Sequence, residues 1–411
     1  MKNISFFLNR FPVTSETFVI NQITGLIDLG YNITIVAINK GDLNNIHQAV
    51  TDYDLISKTT YLTDESPEDT KLSVRLKRVV SVLKPINMVK KMHALNVQKF
   101  GIHSKSLLLP SIVSHVNSPF YADIFVAHFG TSGVVANKMQ QLGLLHGKLV
   151  TIFHGADISV HSILATFKSD YQNLFKTADA MLPISELWKS RLIELGCAPN
   201  KIFVNRMGIN SDLFKCRAFD TALSSKLKVI TVARFTEKKG LKDALSAMHI
   251  LQKQGVEFEY NIVGDGELRG DIEKQIDTLN IKNVNLLGYQ SQKNISKLLT
   301  QSDVFLLPSV TSSNGDMEGI PVSLMEAMAM GLITISTYHS GIPELITNLE
   351  SGLLVQEHAP EDLAKALISV SNQNVDIEKI REHAMQTVDA YFNQKKLYKE
   401  FVGILEKINE Q

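Results

Sequence analysis

The strongest candidates for chemistry in this chain are two carboxylates, Glu318 and Glu326, eight positions apart. They lie in the run PSVTSSNGDMEGIPVSLMEAMAMG, residues 308–331, where Pro321 suits the first position of a helix. Glu326 would then lie about 8 Å along the helix axis from its start. The two carboxylates could each bind a hydroxylated ring, one on either side of a diphosphate at the helix N-terminus. Alternatively, Glu318 is a favourable N-terminal charge and Glu326 belongs to a surface ion pair.

Two cations follow another predicted strand, in the run VARFTEKKG, residues 232–240. Arg234 lies at the strand end, and Lys239 precedes Gly240 where a helix should begin. A guanidinium and an ammonium beside free helix N–H groups suit a diphosphate. Alternatively, both are ordinary surface cations.

Two further turns carry weaker signals. In IVGDGEL, residues 262–268, Gly264 and Gly266 flank Asp265 and would let the backbone approach a ligand. The run lacks the GxGxxG spacing of a dinucleotide site, so a plain turn is an equal alternative. In TIFHGADI, residues 151–158, His154 directly follows a strand, with Asp157 three positions on. A histidine at a strand's carboxyl end facing an interdomain cleft suits function, although a lone histidine is more often structural.

Other classes of site are not predicted. The 12 histidines show no metal-ligand spacing, and the two cysteines, Cys197 and Cys216, form no CxxC pair. Equal numbers of basic and acidic residues, 42 of each, disfavour a nucleic-acid partner. We therefore expect neither a metal nor a cofactor, and a cytoplasmic location.

The elements that must position these residues repeat twice along the chain. Short apolar runs alternate with amphipathic stretches, which predicts parallel sheets covered by helices and hence an α/β fold. Strands are expected at 4–8, 33–38, 124–127, 149–153, 180–183, 202–204, 228–232, 260–263, 284–287, 304–307, 332–336 and 353–355. The pattern starts again at Lys228, after a polar stretch at 210–226. Two doubly wound domains are predicted, residues 1–210 and 211–390.

The stretch between residues 70 and 122 departs from the alternation of predicted strands and helices. It contains no Asp or Glu but nine basic residues. These are Lys71, Arg75, Lys77, Arg78, Lys84, Lys90, Lys91, Lys99 and Lys105. The stretch is either a solvated helical insertion, interrupted at Pro85, or a platform for anionic lipid headgroups. Residues 1–210 carry 21 basic and 15 acidic side chains, a balance of +6, and residues 211–411 carry the opposite balance.

Together these residues resemble the retaining glycosyltransferases of family 4, which have the GT-B fold of two Rossmann-like domains facing a cleft. The most specific element is the Glu-x7-Glu pair, followed by SGIPELI (340–346), SGLLV (351–355) and EDLAKAL (361–367). NRFPVTSETFVINQ (9–22), AHFG (127–130) and NRMGIN (205–210) resemble the branch of colanic-acid and amylovoran exopolysaccharide transferases. The first of these segments replaces the glycine-rich loop of many relatives.

The resemblance implies a role for each candidate residue. Arg234 and Lys239 would bind the donor diphosphate, Glu326 the ribose, and Glu318 the transferred sugar. The catalytic set would be His154, Arg234, Lys239 and Glu318. The donor site would also include Gly264, Asp265, Gly319 and Ile320, and the acceptor side would be Ser15, Glu16, Thr17, His128 and Asp157. A final helix at about 391–411 would pack back on the first domain.

The implied activity is that of a metal-independent hexosyltransferase in surface polysaccharide biosynthesis. The donor would be a nucleotide-diphosphate sugar of UDP or GDP type, and the acceptor a glycan or a polyprenyl-diphosphate-linked oligosaccharide. Residues 71–105 would contact the anionic inner face of the plasma membrane. The alternatives are a nucleotide-sugar epimerase of similar fold and a non-catalytic sugar-nucleotide-binding protein.

Overall fold

A computed structural model describes residues 1–14, 16–44, 46–214, 223 and 226–410. The first sheet contains β1 (Asn3–Phe11), β2 (Asn32–Lys40), β3 (Thr59–Tyr61), β4 (Phe120–His128), β5 (Leu145–Phe153) and β6 (Ala180–Pro183). The second contains β7 (Leu227–Val232), β8 (Phe258–Val263), β9 (Val284–Gly288), β10 (Val304–Leu307), β11 (Ile333–Thr337) and β12 (Leu353–Val355). The two doubly wound sheets predicted from the sequence are confirmed.

Both sheets have the same topology. Their orders are β3-β2-β1-β4-β5-β6 and β9-β8-β7-β10-β11-β12, and every strand pair is parallel. Ile4 of β1 lies between Ile33 and Ile124 in register. The order reverses beside β1 and β4 in one sheet and beside β7 and β10 in the other. Ligands of such sheets bind beyond the carboxyl ends of the strands at this reversal.

Helices cover both sheets. Those of the first half are α1 (Thr17–Asp28), α2 (Gln48–Asp52), α3 (Lys71–Leu83), α4 (Met88–Ala94), α5 (Val97–Phe100), α6 (Ile102–Lys105), α7 (Leu108–His115), α8 (Gly130–Gln141), α9 (Ala156–Ser159), α10 (His161–Thr177) and α11 (Glu186–Glu194). Those of the second half are α12 (Leu241–Lys253), α13 (Arg269–Leu279), α14 (Gln292–Thr300), α15 (Val322–Ala329), α16 (Pro360–Ser371), α17 (Ile377–Tyr391) and α18 (Gln394–Glu410). Short 3-10 turns occur at Pro199–Lys201, Glu237–Lys239 and Ile342–Glu344. No helix in the described ranges has the length and apolar character needed to cross a membrane.

Continuous apolar runs explain the central strands, because strands covered on both faces bury every side chain. All four residues of β10 are fully buried. Two details of the strand prediction are wrong. Residues 202–204 make one isolated bridge, between Ile202 and Met181, instead of a strand. The short edge strand β3 was missed because its three residues, of which Thr60 is exposed and the other two are half-buried, show no apolar alternation.

The C-terminal helix leaves the second domain and joins the first. Phe401, Leu405 and Ile408 of α18 are buried in the same apolar core as the first sheet. The helix begins at Gln394, three residues later than predicted, because α17 continues to Tyr391. Asn393 Oδ1 then accepts hydrogen bonds from the first backbone N–H groups of α18, as a capping residue does. The division at residue 210 stays a prediction, since 215–222, including Cys216, lie outside the described residues.

Candidate active site

The turns that follow β7 and β10 are fastened together, although more than 70 residues separate them. Val310 N donates to Lys238 O at 2.9 Å. Ser313 donates from both its backbone N (3.0 Å) and its hydroxyl (2.8 Å) to the Glu237 carboxylate. Lys238 Nζ lies 3.0 Å from an Asp316 oxygen. These contacts bring the predicted diphosphate turn and the Glu-x7-Glu loop to one place, at the strand-order reversal.

Lys239 and Glu318 form an ion pair in this place, with Nζ 2.6 Å from Oε1. Their side chains are only 16% and 8% exposed. The Lys239 ammonium is therefore the close partner of this buried carboxylate oxygen. Burial raises the pKa of Glu318, but the ammonium groups of Lys239 and Lys238 outweigh it and leave the pKa below its ordinary value. Glu318 is therefore an ionised carboxylate at neutral pH.

A buried histidine holds the backbone of Glu318. Glu318 N donates to His339 Nε2 at 3.0 Å, so the neutral ring carries its proton on Nδ1 and donates to Glu357 Oε1 at 2.6 Å. Ser340 Oγ donates to Glu318 O at 2.6 Å. Sequence reasoning missed His339, whose only signal was its place directly before the SGIPELI run.

Glu326 lies on α15, which begins where the helix was predicted. Burial raises its pKa to about 7. Within the described part of the chain its side chain forms no ion pair, so the alternative of a surface ion pair is wrong. A half-buried carboxyl without an ion-pair partner among the described residues is suited to hydroxyl groups of a ligand.

Arg234 lies at the rim of the site. Its side chain is 66% exposed and lies 3.8 Å from Glu267, which is similarly exposed. Asp265 is engaged nearby, because one carboxylate oxygen accepts from Arg269 at 3.0 Å. Arg234 is therefore free to reorient, whereas Asp265 is held in an internal pair.

The glycines of the IVGDGEL turn serve packing. Gly264 has φ +128°, and a methyl group there would lie 1.9 Å from Ala233 O. At Gly266 a methyl group would lie 2.6 Å from Phe235 O. The glycines admit the backbone of residues 233–235 of the same domain, and a ligand contact at this turn stays a prediction.

Gly240 fixes Lys239 against β10. Its φ is +61°, and a methyl group at this position would lie 1.8 Å from Pro308 O. Because the clash is with backbone, the turn that carries Lys239 would have to move away from the Glu318 loop.

We expect Gly240→Ala to lower the free energy of unfolding by more than Gly255→Ala. Gly255 also has positive φ, +75°, but nothing lies within 4 Å of an added methyl group. Gly255→Ala measures the cost of placing alanine in left-handed backbone alone, about 1–2 kcal/mol. At Gly240 the clash with Pro308 adds to this cost. Urea unfolding of both variants measures the difference; equal losses would contradict the packing described for Gly240.

Aromatic side chains of α1, of β4 and of the residue after β4 surround His154 in the first domain. Its Nε2 lies 3.0 Å from His128 Nδ1, and the two rings stack with centroids 5.2 Å apart. Phe18 and Phe129 approach the His154 ring with centroids at 4.8 and 4.6 Å. Burial lowers the pKa of His154 to about 3 and that of His128 well below its ordinary value. His154 is therefore neutral. Phe18 was not among the predicted site residues.

The proton positions of the two rings follow from their surroundings. His128 is fully buried, and its Nε2 has no partner among the described residues. An orphaned N–H is rarer in proteins than an unpaired acceptor. We therefore place the His128 proton on Nδ1, where it is donated to His154 Nε2. His154 then carries its own proton on Nδ1 and can donate it.

Asp157 holds the backbone around His154. Its carboxylate accepts from Gly130 N at 2.7 Å, Gly155 N at 3.0 Å and His154 N at 3.1 Å. Burial raises its pKa to about 6 against the opposing effect of these N–H groups. The expectation of an acceptor-side Asp157 is corrected, because both oxygens are used within the domain.

Glu16 and Thr17, two other predicted acceptor-side residues, lie at the start of α1. Burial raises the pKa of Glu16 to about 7, whereas Thr17 is exposed at the first helical position. Ser15 lies outside the described residues. The Phe18 contact with His154 shows that this segment borders the histidine.

The turn of His154 and the loop of Glu318 meet across the two domains. A methyl group at Gly155 would lie 3.3 Å from Glu318 O. One at Gly319 would lie 2.3 Å from Ile184 Cδ1 and 3.4 Å from His154 O. Small residues thus allow the candidate residues of the two domains to approach closely.

Hydrogen bonds also hold the loop of Glu318 against the first domain. His161 N donates to Asn314 O at 3.0 Å, and Met317 N donates to Ser159 Oγ at 3.3 Å. Ile320 is buried beside them and would contact a methyl group at Gly341. The 308–331 loop is therefore fastened to both domains.

A second connection lies at Glu344. Its carboxylate accepts from Glu186 N (3.1 Å) and Leu187 N (3.2 Å) at the start of α11, and Arg206 Nη2 lies 3.0 Å away. A carboxylate suits a helix N-terminus because of the helix dipole. Glu344 thus joins the second domain to a helix of the first.

The buried histidines predict a loss of stability in acid. The pKa values of His154 and His103 are lowered to about 3 by burial, with Lys138 adding to the effect at His103. The unfolded chain binds these protons below about pH 6.5 and the folded chain does not. Each histidine therefore costs about 1.4 kcal/mol per pH unit as the pH falls from about 6.5 toward 3.

Buried carboxyls act in the opposite direction. Burial raises the pKa of Glu16 and Glu326 to about 7 and that of Asp157 to about 6. The stability that these carboxyls contribute is fully present below the pKa of the unfolded chain, about 4–4.5. It is lost as the pH rises through the pKa of the folded protein. We expect nearly constant stability from pH 7 to 5 and a steep fall below pH 4.5. Urea unfolding across this range measures it, and a steady fall beginning at pH 6.5 would contradict it.

No cluster of three or more potential metal-ligating side chains occurs in the residues that the structure describes.

Comparisons with known proteins add sequence relatives across the whole chain. The family model of glycosyl transferases group 1 matches residues 217–387. The amylovoran biosynthesis glycosyltransferase AmsK of Erwinia amylovora is 45% identical over 409 residues, which cover 98% of this chain and 99% of AmsK. WcaL of Escherichia coli K12, assigned to colanic acid biosynthesis as a glycosyltransferase, is 42% identical over 98% of this chain and 100% of its own.

Solved structures share the fold at lower identity. A glycosyltransferase from Rickettsia africae superposes with a TM-score of 0.68 at 19% identity, covering 99% of this chain and 98% of that one. Anabaena HepE, solved in complex with UDP, gives 0.71 at 15% identity, with coverage of 99% and 100%. The two facing parallel-sheet domains are those of the GT-B fold. The chain belongs to the GT-B glycosyltransferases, in the family that contains AmsK and WcaL.

Proposed function

We propose that this glycosyltransferase moves a hexose from a nucleotide-diphosphate donor to an acceptor hydroxyl, with retention of anomeric configuration. The observation that carries the proposal is the buried Lys239–Glu318 pair, next to the contact of the Glu318 loop with the His154 turn. The names of AmsK and WcaL place them in amylovoran and colanic acid biosynthesis, which supports an exopolysaccharide product. The HepE complexes with UDP and UDP-glucose support a nucleotide-sugar donor.

In this proposal the diphosphate lies at the start of α15, between Lys239 and Arg234. The half-buried ammonium supplies a fixed charge, and the exposed guanidinium of Arg234 turns inward from Glu267. As the bond to the sugar breaks, the leaving diphosphate gains charge. Preorganised cations stabilise that charge most where the closed domains exclude water.

Glu318 then orients the sugar, because an ionised carboxylate accepts hydrogen bonds from sugar hydroxyls. Glu326, whose pKa is about 7, would bind the ribose hydroxyls. The carboxylate of Asp157 cannot attack the sugar, since backbone N–H groups occupy both of its oxygens. Attack on the face from which the diphosphate leaves, with the leaving phosphate taking the acceptor proton, therefore suits this site better than double displacement.

His154 acts as a hydrogen-bond donor in this mechanism. A ring with a pKa of about 3 is neutral at physiological pH, and its proposed Nδ1–H can bind a hydroxyl of the donor sugar or the acceptor. The segment at Glu16 and Thr17 borders the acceptor side. The acceptor would be a polyprenyl-diphosphate-linked glycan, presented to a cytoplasmic enzyme at the inner face of the plasma membrane.

A panel of UDP- and GDP-linked hexoses tests the proposed function through thermal unfolding and turnover. A donor at 100 times its dissociation constant should stabilise the fold by about 2.7 kcal/mol. Turnover should require an acceptor, give a product with the donor's anomeric configuration and survive EDTA. Epimerised donor without acceptor would instead identify an epimerase, and tight donor binding without turnover a sugar-nucleotide-binding protein.

A further inference from the structure

Helix α3 has its apolar face turned away from the protein. Leu72, Leu76, Val80 and Leu83 are 68%, 58%, 60% and 77% exposed. With 3.6 residues per turn these positions share one side of the helix. A surface helix of a globular protein normally turns that side toward the core.

The opposite side of α3 carries the polar contacts to the domain. Arg78 binds the Glu65 carboxylate through two nitrogens at 2.6 and 3.0 Å. Lys77 Nζ lies 2.6 Å from Asp69. Charged groups therefore attach this side of the helix, and all three leucines with Val79 and Val80 are exposed, whereas Val74 and Val82 are half-buried.

Helix α4 continues the inversion. Met88, Val89 and Met92 are 56%, 72% and 67% exposed, whereas Lys91 is 2% exposed. Lys91 Nζ donates to the carbonyl oxygens of Val82, at 2.9 Å, and Lys84, at the end of α3. The Lys91 side chain thus caps the end of α3, while the methionines of α4 face outward.

The exposed apolar side chains are concentrated in this part of the molecule. Of 21 large apolar side chains exposed in the described ranges, 11 fall between residues 72 and 102. They are Leu72, Leu76, Val79, Val80, Leu83, Met88, Val89, Met92, Leu95, Val97 and Ile102. An apolar patch of this kind on a folded protein marks an interaction site.

The positive charge of the segment is smaller at the surface than its sequence suggests. Of the nine basic residues, Lys77, Arg78 and Lys91 are engaged within the domain, and Lys90 Nζ donates to Gly143 O at 2.8 Å. The expected platform of nine cations is therefore corrected. Lys84 Nζ lies 4.0 Å from Asp64, and the remaining four, Lys71, Arg75, Lys99 and Lys105, are exposed.

We propose that the outward face of α3 and α4 is a lipid-bilayer docking surface, which inserts its apolar side chains at the headgroup–acyl boundary. An amphipathic helix lying in the interface plane buries its apolar side about 5–10 Å deep. The exposed cations complement anionic headgroups, and the sequence between residues 70 and 122 contains no carboxylate to repel them. The inference goes beyond glycosyl transfer, because it assigns a membrane surface that needs neither donor nor acceptor.

Vesicle co-sedimentation of the full chain without sugar donor tests the surface. The probes are vesicles of phosphatidylcholine alone and of phosphatidylcholine with phosphatidylglycerol, at 0.1 and 1 M NaCl. We expect Leu76→Gln/Leu83→Gln to lower partitioning onto both kinds of vesicle by at least about tenfold, since each leucine buried in the bilayer contributes strongly to the binding free energy. Raising the salt should lower binding to anionic vesicles less than this double substitution does, because salt screens charges and not apolar burial.

Matched controls separate the possible outcomes. Leu43→Gln/Leu349→Gln replaces leucines that are 50% and 60% exposed elsewhere and should leave partitioning unchanged. Loss of binding at 1 M NaCl with no effect of Leu76→Gln/Leu83→Gln would overturn insertion in favour of purely electrostatic contact. A dimer in sedimentation velocity that Leu76→Gln/Leu83→Gln dissociates, with no vesicle binding, would assign the face to a second copy and also overturn the proposal. Turnover with a water-soluble acceptor should be unchanged by these variants, so failure here is distinct from failure of the proposed transfer.

Discussion

Lys239→Met should lower kcat by about 10²–10³-fold, the loss seen when a preorganised group that stabilises transition-state charge is removed. The ammonium lies 2.6 Å from Glu318 and is only 16% exposed, so its field acts in a poorly screened environment. Methionine keeps most of the length of the side chain and removes the charge. Steady-state kinetics at saturating donor measures the effect.

Stability must be measured beside activity, because this substitution also leaves Glu318 as an unpaired buried carboxylate. Breaking a buried pair from one side typically costs about 3–5 kcal/mol. Lys239→Met/Glu318→Gln removes both charges, so it should recover much of the stability and none of the activity. Recovery of activity together with stability would show that Lys239 has only a structural role.

Lys242→Met is the matched control for Lys239→Met. Lys242 lies three positions further along the chain and pairs with Asp271 at 2.7 Å, but both side chains are more than half exposed. Surface pairs of this kind contribute little to stability. The control should keep activity within about twofold, and equal losses in both variants would remove Lys239 from the site.

Glu318→Gln should also lower kcat by about 10²-fold or more, because a neutral amide loses the charge-assisted hydrogen bonds to the sugar. The affinity for free UDP or GDP should change much less, since in the proposed site the diphosphate contacts Lys239 and Arg234. Kinetics of transfer and calorimetry of nucleoside-diphosphate binding separate the two effects.

Glu267→Gln provides a comparison for Glu318→Gln. Glu267 is 64% exposed and lies 3.8 Å from Arg234, so its replacement removes a carboxylate at the rim and leaves the Glu318 loop unchanged. We expect nearly normal kcat. A Glu318→Gln enzyme with normal kcat, or with equally weakened diphosphate binding, would contradict the role of Glu318 in orienting the sugar.

The proximity of Lys239 and Glu318 in the second domain was predictable because both residues are close in sequence to strand ends. The apolar runs place Lys239 after β7 and Glu318 after β10, and parallel sheets gather such ends at one edge. His339 was not predictable, because its partners Glu318 and Glu357 are 21 and 18 positions away. The close packing at Gly264 and the contacts of the Asp157 carboxylate were not predictable for the same reason: both involve backbone that only the fold brings near.

The direction of α3 shows another limit of sequence patterns. Its periodicity predicted an amphipathic helix, and the break at Pro85 is confirmed by the gap between α3 and α4. Periodicity identifies an apolar side, but it does not say which side faces the core. Only the contacts of Arg78 and Lys91 with the domain show that the polar side is inward.

Product analysis tests most directly whether the contact between the His154 turn and the Glu318 loop is a transferase site. Wild-type protein is incubated with a labelled donor and a lipid-linked glycan fraction, and nucleoside diphosphate and acceptor-bound sugar are both quantified. We expect equal amounts of the two, sugar attached with the donor's anomeric configuration, and loss of both products in Glu318→Gln. Turnover of donor without acceptor-bound sugar, or full transfer by Glu318→Gln, would contradict this account of the site.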